Sequence, residues 1–329
     1  MSDAADYFRL MDDLGIRGTP FLFVIDYDCA RPRVWPLHEL PGGVRFSVSG
    51  VCVPNEPGAL AQARTAPRSI IRSREFVPYD RYEERFHRVQ TALRAGESYL
   101  VNLTFPTRVE LSCSLSRVYE AARAPYKLLL PGECVVFSPE AFVRIEPGAI
   151  STFPMKGTID SAVPDAKNLL LADEKEAAEH ATVVDLLRND IGMVAQSVTV
   201  PRFRYVDRIC LQNRSLFAVS SEIRGELAPG AHRKVGSILR AMLPAGSITG
   251  APKKRTREII SDAELGPRGD YTGVFGVFDG ERVESAVMIR FIEQNESGFR
   301  FHSGGGVTIY SECRREYEEL RQKVDVPVA

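Results

Sequence analysis

The stretch CVVFSPEAFVRIEPGAISTFPMKGT, residues 134–158, carries two β-prone runs, 134–138 and 141–152, with too little chain between them for a helix. Strands that come in runs, without a helix after each, favour a largely antiparallel arrangement. The stretch ends on Lys156, an amine followed by a glycine at a turn, where bare backbone lets a ligand approach. A lysine at a strand end is ordinarily a solvated charge. Lys156 gains weight only from what the rest of the chain places beside it.

Outward from this stretch, further strands are predicted at 21–27, 44–53, 98–110, 126–130, 198–206, 215–224, 273–279, 283–292 and 298–303. Helices are predicted at 80–94, 165–191, 230–242, 252–261 and 312–324. In the first of these, Tyr82, Phe86, Val89 and Leu93 form one apolar seam. A Pro/Gly/Ala-rich stretch, 54–67, reads as a loop or linker. Strands come in runs instead of alternating with helices. The expected class is therefore α+β, with largely antiparallel sheets packed with outer helices. Two regions are expected: a short β-rich N-terminal region, 1–74, integrated with the core, and a main domain, 75–327.

With 329 residues, 44% hydrophobic and 26% charged, the chain can bury a full core like an ordinary globular protein. A net charge of -1 gives no global field for nucleic acid or a membrane surface. The acidic start, Met1 to Asp6, does not read as a signal peptide, and no apolar run approaches the ~18 residues of a membrane helix. Six scattered cysteines without a C-x-x-C pair argue against a zinc site or a disulfide framework and suit a reducing cytoplasm.

Two helices repeat one carboxylate pattern. Glu176 and Glu179 lie three apart beside the stripe Leu170, Ala177, Ala181, Val184, Leu187 and Ile191. Glu316 and Glu319 lie three apart on the same side of the stripe Cys313, Tyr317, Leu320 and Val324, with Lys323 on that side too. Glutamate-rich helix faces are commonly just solvated. Two matching pairs, however, could converge on a hard cation such as Mg²⁺, which takes carboxylate oxygens. Gly304, Gly305 and Gly306, after Ser303, read as a loop whose exposed amides could hold an anion. Gly246 to Lys253 lacks P-loop spacing but puts Pro252 at a helix start, where an anion could sit. Arg290 could grip a carboxylate bidentately. The sum suits a small, multiply anionic substrate.

These motifs, in this order, resemble the chorismate-utilising enzymes over residues 75–327. The resemblance rests on 153–158, Asp185-Leu186-Leu187-Arg188-Asn189-Asp190, 246–253, 303–307 and Glu316-Tyr317-Glu318-Glu319. Within the family, lysine at position 156 resembles the aminodeoxychorismate synthases, whereas the anthranilate, salicylate and isochorismate synthases carry alanine. The resemblance implies that Mg²⁺ sits among Glu176, Glu179, Glu316 and Glu319 and holds the ring carboxylate of chorismate, supported by Gly304, Gly306 and Lys323. It implies that Tyr271 and Arg290 take the enolpyruvyl carboxylate and that Gly157, Thr158 and Thr249 line the pocket. Lys156 would attack the ring at C2, with Glu140 as general acid/base, before ammonia enters at C4. A glutamine amidotransferase subunit would supply that ammonia, since no cysteine here lies in a Gly-x-Cys-x-Gly elbow. The alternatives are anthranilate synthase component I and a non-catalytic chorismate-binding subunit. Two departures stand out: Phe217 replaces the histidine of an H-x-V-S motif, and the N-terminal region is short, which argues against a tryptophan site.

Overall fold

The computed structural model describes residues 4–48, 69–210 and 215–328. The predicted linker at 54–67 and most of the predicted strand at 44–53 lie outside them. The helices are α1 (Ala4–Arg17), α2 (Tyr79–Arg94), α3 (Leu115–Ala121), α4 (Ala166–Ala172), α5 (Glu174–Gly192), α6 (Val235–Met242), α7 (Lys253–Ala263) and α8 (Cys313–Gln322). The first nine strands are β1 (Phe21–Ile25), β2 (Arg33–Pro36), β3 (Arg45–Ser47), β4 (Ile71–Glu75), β5 (Leu100–Leu111), β6 (Tyr126–Leu130), β7 (Cys134–Ser138), β8 (Ala141–Glu146) and β9 (Ala149–Thr152). The rest are β10 (Met155–Asp160), β11 (Gln196–Cys210), β12 (Ser215–Glu226), β13 (Gly250–Ala251), β14 (Val274–Phe278), β15 (Val283–Val287), β16 (Phe291–Asn295) and β17 (Gly298–Val307).

The class is α+β, as expected. Two antiparallel sheets face each other. One has the order β10-β12-β9-β8-β15-β14-β1-β2, with β11 also on β12; the other runs β13-β5-β17-β16-β7-β6-β3, with β4 also on β5. Between them lies a core of Leu22, Val24, Tyr126, Leu128, Val136, Phe275, Val277 and Phe291. Each fully buried side chain of this kind is worth roughly 1.5–3 kcal/mol. Helices α1, α5 and α6 cover the outer face of the first sheet. Helix α3 packs on the outer face of the second, while α2, α7 and α8 pack against β5.

Among the passages of consecutive strands from one sheet to the other, two are neighbours. The β7–β8 passage goes through Pro139 and Glu140, and the β15–β16 passage through Met288 to Arg290. They run side by side: Val287 N donates to Glu140 O at 3.2 Å, and Phe137 N to Arg290 O at 3.0 Å. Both passages thus put a charged side chain where the sheets part.

Several expectations change. The N-terminal stretch begins with a helix, because Phe8, Met11 and Leu14 recur at helical spacing and are buried. Backbones touch there: a Cβ on Gly236 of α6 would stand 1.9 Å from Phe8 O. The helix predicted over 165–191 is two, broken at Asp173, whose backbone is extended and whose side chain caps α5 by accepting Glu176 N at 2.9 Å. The strand predicted over 283–292 divides at Arg290, whose φ of +52° turns the chain into the other sheet. Its apolar run looks continuous because both halves are buried.

Candidate active site

Strand β10 is an edge of the first sheet and carries a bulge. Lys156 pairs with Val219 and Thr158 with Ala218, leaving Gly157 between two ladder positions. Gly157 has φ +71°, and a Cβ there would stand 3.2 Å from Leu170 Cδ1 and 3.3 Å from Glu176 Oε2. Only a glycine lets the strand come this close to α4 and to the first turn of α5. Glu176 on that turn and Glu179 on the next are half-buried. Thr158, past the bulge, is exposed.

The opposite wall is β17. The three glycines predicted to form a loop are strand residues, with Gly304, Gly305 and Gly306 paired to Thr104, Leu103 and Asn102 of β5. Close packing explains the correction: a Cβ on Gly304 would stand 2.2 Å from Leu103 O. A Cβ on Gly306 would lie 3.7 Å from Lys156 Nζ, so the amine of one sheet reaches the bare backbone of the other. A Cβ on Gly305 would lie 3.5 Å from each of Glu316 Oε2, Glu319 Oε1 and Lys323 Nζ. Lys323 Nζ pairs with Glu319 Oε1 at 2.6 Å and donates to Gly304 O at 2.8 Å. Buried Tyr317 and Leu320 anchor α8 in this position.

Glu176 therefore lies against Gly157, one residue from Lys156 along β10, and Glu316 and Glu319 against Gly305, one residue from Gly306 along β17. Their oxygen chemistry suits a hard cation. Among the described residues, no three His, Cys, Asp or Glu side chains stand close enough together to hold a metal ion.

Glu140 is half-buried, and burial pushes its carboxyl up; the hydrogen bond from Ser247 and the charges of Lys156 and Lys323 pull it back down. Ser247 Oγ donates to Glu140 Oε1 at 2.8 Å. Arg290 NH1 donates to Lys323 O at 2.5 Å, and burial lowers the affinity of its guanidinium for the proton. Tyr271 is buried with its ring 4.9 Å from that of His302, and burial raises its phenol. Thr249 is fully buried, its Oγ1 donating to Ala245 O at 2.8 Å and its carbonyl accepting Asn102 N at 3.1 Å. The predicted anion at the start of α7 meets competition. Lys253 Nζ pairs with Asp190 Oδ1 at 2.7 Å and donates to Met242 O at 2.6 Å.

Sequence reasoning missed His180 and Ser247. His180 is buried, its Nε2 lying 2.6 Å from Ser221 Oγ; burial and the charges of Arg204 and Lys156 push its pKa down to about 4. It directly follows Glu179, and Ser247 lies within the motif 246–253, so adjacency was the available signal. Phe217 sits under the ammonium of Lys167, 5.0 Å from the ring centroid.

The model of a family described as chorismate binding enzyme matches residues 53–329. An uncharacterised PabA-like protein of Haemophilus influenzae is 45% identical over 315 residues, covering 95% of this chain and 94% of that one. Aminodeoxychorismate synthase component 1 of Klebsiella aerogenes is 33% identical over 262 residues, covering 75% of this chain but only 56% of that relative. Among solved structures, anthranilate synthase component I from Streptococcus pneumoniae aligns with a TM-score of 0.66 at 25% identity, over 79% of this chain and 60% of that one.

Proposed function

Because the chain belongs to the chorismate binding enzyme family, we propose that it is an aminodeoxychorismate synthase component I. It replaces the C4 hydroxyl of chorismate with ammonia from a glutamine amidotransferase partner. The observation that carries this reading is the placement of Lys156. Its amine projects from a bulged edge strand to the side-chain-free backbone at Gly306, with Glu176 beside the next residue of its own strand and Glu316 and Glu319 beside Gly305.

Lys156 Nζ attacks ring C2; the two ring double bonds shift, and the C4 hydroxyl leaves. Glu140 gives that oxygen its proton, so that it departs as water; burial raises its carboxyl, which favours the protonated form that such a donor needs. Ammonia then adds at C4 and expels the lysine amine from C2. Arg290 and Tyr271 orient the enolpyruvyl carboxylate. Glu176, Glu179, Glu316 and Glu319, once drawn together around it, would hold Mg²⁺, which when bound would neutralise the ring carboxylate. Gly304, Gly305 and Gly306 leave room for the ring, and Lys323 adds positive charge beside them. Gly157 and Thr249 shape the walls and Thr158 the rim. Supply of 4-aminobenzoate for folate is the corresponding role. Among the described residues no helix is long and apolar enough to cross a membrane, and four free cysteines support a cytoplasmic compartment.

The likeness to anthranilate synthase component I gives a second reading, amination at C2. Incubation with chorismate, ammonium and Mg²⁺, followed by mass spectrometry with and without an added 4-aminodeoxychorismate lyase, separates the two. 4-Aminobenzoate formed only with the lyase supports the proposal; anthranilate supports the second reading. Binding without turnover marks a non-catalytic subunit.

A further inference from the structure

The short 3-10 turn Gly246–Ile248 is held at both ends by buried charge. At one end Gly246 N donates to Asp190 Oδ2 at 3.2 Å, and Asp190 pairs with Lys253 at 2.7 Å. At the other, Arg268 NH1 donates to Ile248 O at 2.8 Å, while its NH2 bonds Glu264 Oε1 and Asn102 O, each at 2.6 Å. A Cβ on Gly246 would stand 2.7 Å from Asp190 Oδ2, and Ile248 is buried in the core. Between them Ser247 is half-buried and points its hydroxyl at Glu140 Oε1, 2.8 Å away. The Glu140 backbone is itself fixed: its N–H donates to Ser138 Oγ at 3.2 Å and its carbonyl accepts Val287 N at 3.2 Å.

We propose that Ser247 is a positioning residue, whose hydroxyl holds one oxygen of Glu140 and leaves the other to meet the substrate. The clamped turn makes that hydroxyl a fixed point. A carboxylate on a free rotor would sample orientations in which no proton transfer is possible, and misplacement by about 1 Å can cost ~10²-fold in rate. The inference rests on the reading that Glu140 moves a proton in this site. The charged groups facing Glu140 are Lys156 from β10 and Lys323 from the end of α8.

The test compares Ser247→Ala, Ser247→Thr and Glu140→Gln by chorismate consumption with ammonium and Mg²⁺, so the result does not depend on which carbon is aminated. Melting temperature checks each fold. Ser247→Ala is expected to lower kcat about 10- to 100-fold while KM for chorismate stays within about twofold. Loss of a donor that favours the carboxylate also moves the Glu140 limb of the kcat–pH profile to higher pH. Ser247→Thr, which keeps the hydroxyl, should restore most of both. An unchanged kcat and pH profile in Ser247→Ala, with Glu140→Gln inactive, overturns the positioning role and leaves Glu140 in place. A fully active Glu140→Gln overturns the proton-transfer reading and this inference with it.

Discussion

Lys156 stands where a surface lysine would not, with its amine against the backbone of a second sheet. Replacing it with alanine leaves the glutamates, Arg290 and Lys323 untouched. Chorismate should therefore still bind by calorimetry, while 4-amination falls by ~10² or more, and residual product should carry its nitrogen at C2. A surface role predicts unchanged turnover. Gly157 makes a second claim. Alanine there must hold φ near +71° and press on Leu170 and Glu176. The backbone alone costs about 1–2 kcal/mol, so Gly157→Ala should melt lower and need more Mg²⁺ for half-maximal rate. A wild-type Mg²⁺ titration in that variant would separate the bulge from the metal site. Glu179→Gln and Glu319→Gln should each lose most activity with melting temperature retained, and full wild-type activity in excess EDTA would refute a metal altogether.

Helix α5 brings Glu176 and Glu179 to the pocket, and its first turn depends on the Asp173 cap. Asp173→Ala should cost about 1 kcal/mol of stability in urea unfolding and weaken Mg²⁺ dependence more than a cap far from the site would. A neutral result on both measures would mean that packing alone fixes the turn. That cap also marks the limit of what could be read from sequence. The alternation and spacing that identified β6 and β7 are local signals, and they place those strands correctly. The break at Asp173 follows a local cap hidden inside a continuous helical pattern, with β12 under α4, and the division at Arg290 depends on the second sheet beyond β15. The glycines at 304–306 were legible as bare backbone but not as strand, since the reason, a 2.2 Å approach to Leu103 O, lies two hundred residues upstream. The glutamate pairs, Lys156 and Glu140 were legible because short motifs carry them. The partners of Ser247 and His180, Glu140 and Ser221, lie far away in sequence, and α1 was missed although its 3.6-residue period was present.

The proposed reaction needs ammonia, and none of the chain's cysteines lies in a Gly-x-Cys-x-Gly elbow. The purified protein should therefore consume chorismate with ammonium salts and not with glutamine, and gain glutamine dependence when an amidotransferase subunit is added. Product from glutamine with no partner present would end the two-subunit reading. The same chain builds each sheet from strands of both its beginning and its end. In the second sheet, β17 lies between β5 and β16. During synthesis, β5 leaves the ribosome long before residues 298–307 exist. Its inner edge stays open through most of translation, as a row of unpaired N–H and C=O groups that invites pairing with other nascent chains. The strand that forms the wall opposite Lys156 is thus also the one that closes this sheet, and a chain stalled before Gly298 has neither.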